Sequence, residues 1–113
     1  MKRYVEVNLT YSAIHSWPNC DLLEVGYLKF PHRHLFHIKA IKEVSHNERD
    51  VEIIMLKTAI EVFLEARFEH NFGYNSCESI AELILTQFDC VEVRVLEDGE
   101  NGGIVTNYKH ENN

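Results

Sequence analysis

Apolar and polar residues alternate over residues 2–12, with Tyr4, Glu6 and Asn8 set against Val5, Val7 and Leu9. Side chains of an extended chain point to opposite faces in turn, so this pattern predicts a first strand. Pro18 and Asn19 mark the loop that follows, which places His15 where the strand hands over to the loop. A second long strand is expected from about residue 30 to 44, closed by a polar break at residues 45–50. The period then becomes helical over 51–67, where Ile53, Leu56, Ile60, Phe63 and Leu64 form one stripe. Residues 68–75 read as a connection with Gly73 near its centre. A second helix follows over 77–87 with Ile80, Leu83 and Ile84 inward; Asn75 is its expected N-cap, and Glu78 completes a capping box. Val91, Val93 and Val95 alternate with Glu92 and Arg94 over 90–96. A glycine-rich turn over 98–103 returns the chain as a last strand, 104–108, and 109–113 reads as a frayed tail.

The predicted order is β-β-α-α-β-β in a single domain over 1–113. That is the α+β pattern of a four-stranded antiparallel sheet with two helices on one face. Two helices leave the other face and both edges uncovered, so a symmetric homo-oligomer is expected.

Composition adds exclusions. With 45% apolar and 26% charged residues the chain is ordinary for a globular domain. Its net charge of −7 argues against a nucleic-acid groove built on phosphate neutralisation. No apolar run is long enough to span a bilayer, and the first residues alternate rather than forming a signal peptide. The three cysteines, Cys20, Cys77 and Cys90, form no paired motif, which suits a reducing compartment, and a cytoplasmic location is expected.

The stretch richest in chemistry is Phe30-Pro31-His32-Arg33-His34-Leu35-Phe36-His37-Ile38. On a strand, His32 and His34 share a face while His37 points the other way. Two imidazoles on one strand can serve one metal ion if a neighbouring strand supplies a third ligand, and zinc that does chemistry keeps three protein ligands and an open position. A histidine-rich exposed strand is the plain alternative. Trp17 and Tyr27 read as packing residues, and His37 and His46 as solvated.

Beyond these patterns, the chain resembles the 6-pyruvoyltetrahydropterin synthase / 6-carboxytetrahydropterin synthase family over about residues 4–108. Tyr11-Ser12-Ala13-Ile14-His15 is similar to its Phe-Ser-Ala-Ala-His motif, and His32-Arg33-His34 to its His-Gly-His. The resemblance implies a zinc site of His15, His32 and His34 in a tunnelling fold, with strands assembling into an oligomeric barrel, trimer-based and up to a hexamer. Asp50 to Lys57 resembles the opening of the family's first helix. Phe68-Glu69-His70 resembles its Leu-Asp-His, which makes Glu69 and His70 the implied proton-moving pair. Asn75-Ser76-Cys77-Glu78 resembles Pro-Thr-Ser-Glu, and Glu97 the glutamate that grips the pterin edge, so Ser76, Cys77, Glu78 and Glu97 become the implied ring-binding residues. The implied function is that of a zinc-dependent lyase on a dihydropterin triphosphate-type substrate, in pterin or queuosine-type 7-deazaguanine biosynthesis. The alternative is a non-catalytic protein on the same scaffold that sequesters a purine- or pterin-like nucleotide.

The chain departs from the family in three places. No thiol stands just before His32; Cys20, twelve positions earlier, is the remaining candidate for the catalytic cysteine. Glu replaces Asp before His70, and the connection from His70 to Glu78 is short. Glu78 also serves equally well as a cap, Glu97 as an exposed hairpin residue, and His70 as a surface histidine favoured by the helix dipole.

Overall fold

In a computed structural model, which describes residues 1–109, the order is β1 (Arg3–His15), a 3-10 segment (Leu23–Lys29), β2 (His32–Val44), α1 (Ile53–Phe68), β3 (Asn71–Gly73), α2 (Cys77–Phe88), β4 (Glu92–Glu97) and β5 (Asn101–Thr106). Of the tail expected to fray, residues 110–113 lie outside the described residues. The fold is α+β, with the strands in the order β3-β1-β2-β4-β5.

The sheet has five strands rather than four, and it is mixed rather than antiparallel. β3 is three residues long and pairs parallel to the end of β1, with Ile14 opposite Asn71 and His15 opposite Gly73. Nothing in residues 68–75 alternates over enough positions to announce a strand; only pairing with β1 makes it one. β5 likewise begins earlier than expected, because Gly102 and Gly103 belong to the strand rather than to the turn. A side chain at Gly103 would place its Cβ 2.7 Å from the Glu78 carboxylate, so only glycine lets α2 lie this close to β5.

β1 and β2 run antiparallel over their full lengths, from Arg3 opposite Val44 to His15 opposite His32. One face of this ribbon is apolar. Val7, Leu9, Tyr11 and Ala13 of β1 and Phe36, Ile38 and Ala40 of β2 are buried there, and Val93 and Val95 continue the layer on β4. Leu56, Ile60 and Leu64 of α1 and Ile80, Ala81 and Ile84 of α2 close the core from above. Each Val, Leu, Ile or Phe side chain here contributes roughly 1.5–3 kcal/mol when taken out of water, which makes the layer the main source of stability. Ile53, expected on the inner stripe of α1, is instead its first residue and is 48% exposed. Glu52 ahead of it caps the helix by accepting from the amides of Ile54 and Met55.

The cap of α2 is Ser76, whose Oγ accepts the Ser79 amide at 3.1 Å, and not Asn75. Asn75 is held in the preceding turn, its amide and its side-chain nitrogen both donating to Phe72 O. Glu78 is therefore not spent on a capping box. Ser76→Ala is expected to cost about 1 kcal/mol. In a thermal melt this lowers Tm by roughly 4 °C, while metal content stays unchanged.

Candidate metal centre and its cavity

His15 ends β1 and His32 begins β2, and the two are direct cross-strand partners. His34, two residues on, shares their face and stands opposite Ala13, whose small side chain leaves room for an imidazole. Phe36 opposes Glu97, the last residue of β4. The sheet thus gathers three imidazoles and one carboxylate at one end of its core face. A register shift between Ile14 and His15 in the β1–β3 pairing lies beside this cluster, as bulges next to functional sites often do.

The ligand atoms that His15, His32, His34 and Glu97 can offer all lie within 4.8 Å of one another, close enough to hold one metal ion. Each imidazole is oriented from behind. His32 Nδ1 donates to Phe30 O at 2.8 Å, His15 Nδ1 to Asn75 O at 3.1 Å, and His34 Nδ1 to Asp98 Oδ2 at 2.7 Å. Carbonyl and carboxylate oxygens only accept, so each Nδ1 carries a proton, and in the neutral ring that leaves the lone pair on Nε2. This is the outer-shell arrangement that fixes metal-binding histidines. The Nε2 atoms of His15 and His32 are buried and have no hydrogen-bond partner. Glu97 Oε2 approaches His15 Nε2 to 2.8 Å and His34 Nε2 to 3.5 Å. With the proton on Nδ1, both atoms of the 2.8 Å approach are acceptors, so no hydrogen bond joins them. Buried polar atoms left in this condition call for an explanation, and an ion between them supplies one.

Electrostatics agree. Burial holds the His15 imidazole below its ordinary value of 6.5, favouring the neutral ring that a metal needs, against the raising influence of Asn75 O and Glu97. The hydrogen bond from His34, with that from the Leu35 amide, keeps the Asp98 carboxyl below the usual range, so Asp98 is ionised where it supports His34. Sequence reasoning missed Asp98; its only signal was its place directly after Glu97 in a tight turn.

A cavity of about 550 Å³ opens beside the cluster. His15, His32 and Glu97 form one side, and Ser76, Cys77 and Glu78, at the start of α2, form another. Trp17 and Tyr74 complete the wall. Trp17 is 44% exposed and Tyr27 67% exposed, so neither is the packing residue expected from the sequence. All four residues implied as ring-binding do meet in one place. Glu97 has a double position, facing the histidines and lining the cavity.

The residues implied as catalytic do not join them. Cys20 is buried, with its thiol directed to the carbonyls of Leu22 and Val25, and it does not line the cavity. Cys77 does line it, but burial, with Glu97 and Glu78 nearby, pushes its thiol up to about 12, leaving no thiolate near neutral pH. In the folded protein Cys77 is therefore expected to resist alkylation by iodoacetamide at pH 8; rapid modification followed by peptide mapping would contradict this. Glu69 ends α1 at φ +50°, and His70 follows at φ +64°. His70 is held outside the cavity: Nδ1 donates to Ser12 O at 2.6 Å, Nε2 faces Glu65 Oε2 at 2.9 Å, and the ring stacks on Tyr11 with centroids 4.6 Å apart. Its carboxylate partner is Glu65, one helical turn before Glu69.

Compared with known proteins, the chain matches no family model and no curated sequence. Among the described residues, no helix is long and apolar enough to cross a membrane.

Proposed function

We propose that this chain binds zinc through His15, His32 and His34 and holds a pterin- or purine-like ring in the adjoining cavity. On this reading it acts as a zinc-dependent lyase of the kind it resembles, on a dihydropterin triphosphate-type substrate. The observation that carries the reading is the set of three Nδ1-anchored imidazoles whose free Nε2 atoms converge with Glu97 beside Glu78. Three neutral imidazoles and a carboxylate are a donor set that zinc accepts. Bound there, zinc would polarise a carbonyl or hydroxyl oxygen of the substrate.

The protein's own part is positioning. Glu78, freed from capping, presents a carboxylate to the cavity, where it can accept paired N–H donors from the amidine edge of the ring. Glu97 is shared: it can close the metal site as a fourth ligand or turn to the ring. Exposed Leu23, Tyr27 and Phe30, together with the edge of β1 along residues 3–11, which pairs with no strand among the described residues, support assembly into the expected homo-oligomer.

One specific observation favours the second reading, a ring-binding protein without turnover. No thiolate faces the cavity, and His70 is engaged by Glu65 and Ser12 outside it. Lyase activity then requires His70 to be supplied by a neighbouring copy. The deciding experiment takes zinc-loaded protein and measures both ring binding and turnover of a dihydroneopterin triphosphate-type substrate. Turnover abolished by His70→Gln, with ring binding retained, supports the lyase. Tight ring binding without turnover, lost in Glu78→Gln, supports sequestration. Failure to bind any such ring overturns both. Cys20→Ala is expected to leave ring binding intact on either reading.

A further inference from the structure

The sheet face turned away from the helices carries an unusual row. Lys39 of β2 and Arg94 of β4 are direct cross-strand partners, with Asn8 of β1 on the other side of Lys39. Like charges placed directly opposite destabilise a sheet unless something between them compensates. His37 is the next residue along β2 on the same face, and Lys57 reaches in from α1. With Thr10 these groups line a cavity of about 300 Å³. It shares no lining residue with the cavity of the metal centre.

Two observations show that the positive charge here is only weakly countered. Arg94 Nε is buried and has no hydrogen-bond partner, an unmade bond that costs free energy. Lys39 Nζ stands 3.8 Å from Glu6 Oε1, a loose contact between solvated groups. We propose that this cavity binds a small oxyanion of the phosphate type. An oxyanion seated between Lys39 and Arg94 relieves the opposed charges, a turn of the Arg94 side chain toward it satisfies the orphaned Nε–H as well, and the flat guanidinium suits oxyanion geometry. The neighbouring row limits the size of the ligand. Glu6, Ile41 and Glu92 lie side by side there, so two carboxylates flank the basic row. In a chain of net charge −7, that border repels an extended polyanion such as a nucleic acid and admits a compact ion.

The test is calorimetric titration of the whole protein with pyrophosphate, using His32→Ala/His34→Ala as the background without a metal site. Saturable binding at one ion per chain is expected in both wild type and this background. Lys39→Gln/Arg94→Gln is expected to weaken it about tenfold or more, since a charged hydrogen bond of this kind is lost. Should the double variant not fold, as judged by circular dichroism, Lys39→Gln alone carries the test, with a smaller loss expected. The proposal is overturned if wild type shows no saturable binding at millimolar pyrophosphate, or if the substituted proteins bind equally well. It also fails if binding vanishes in the histidine background, which would place the anion on the metal. An oligonucleotide that binds the same residues more tightly than pyrophosphate would overturn the small-ion assignment.

Discussion

Purified wild-type protein is expected to contain close to one zinc ion per chain, and the His32→Ala/His34→Ala variant essentially none. The ligand atoms of the four-residue cluster lie within 4.8 Å of one another, so losing two imidazoles leaves only His15 and Glu97, too few for a tetrahedral site. Metal analysis after dialysis against a weak chelator reads this directly. Stability should follow occupancy, because a ligand that binds only the folded state stabilises it by mass action. At a hundredfold excess over Kd the gain is about 2.7 kcal/mol, a Tm rise on the order of 10 °C for a domain of this size. Asp98→Asn is the graded version. The amide supports His34 less well, and loss of such an outer-shell partner typically weakens metal binding about 10–100-fold. Wild-type protein that stays free of zinc under these conditions would remove the metal reading altogether.

Acid should release the metal. Because burial holds His15 below 6.5, the unfolded chain takes up a proton at higher pH than the folded one. For a group depressed in this way, the stability present above pH 6.5 is lost as pH falls through the folded-state value. Protons also compete with the metal for all three Nε2 atoms. Zinc occupancy and Tm should therefore fall together below about pH 6.5. A Tm that is flat from pH 7 to 5 in the zinc-loaded protein would contradict the assignment.

The second large effect is expected at Phe36. Its side chain is fully buried, edge-on to His15 at 5.2 Å and to His34 at 5.7 Å, and packed against Phe72 at 4.8 Å. It is both the floor of the metal cluster and the centre of the core at that end of the sheet. Phe36→Ala should cost roughly 3–5 kcal/mol, a large share of the 5–15 kcal/mol that holds a typical domain together. The cavity left behind also frees two imidazoles to turn, so zinc affinity should fall as well. Phe36→Leu separates the two roles by keeping most of the volume and losing the flat ring. A melt showing less than about 1 kcal/mol of destabilisation in Phe36→Ala would mean that the core there is not packed as described.

Much of this protein is local, and local features were readable in advance. Period-two alternation located β1 and β4; the 3.6-residue stripe located α1 and α2; and the His-x-His spacing put two imidazoles on one face. Each depends on neighbours in sequence, which is why the residue pattern alone determined it. Other features depend on pairings between distant segments. β3 exists only because Asn71–Gly73 meets the end of β1, and the third imidazole reaches the cluster only because the β1–β2 register sets His15 opposite His32. Whether Asn75 or Ser76 caps α2 was decided by the turn that holds Asn75, and with it whether Glu78 is free for the cavity. The partner of His70 is Glu65 rather than Glu69, because α1 ends in a left-handed residue that swings the histidine back onto Tyr11. Residue type and spacing state what a side chain can do, whereas the pairing of strands and the packing of helices decide which groups come within 3 Å of one another.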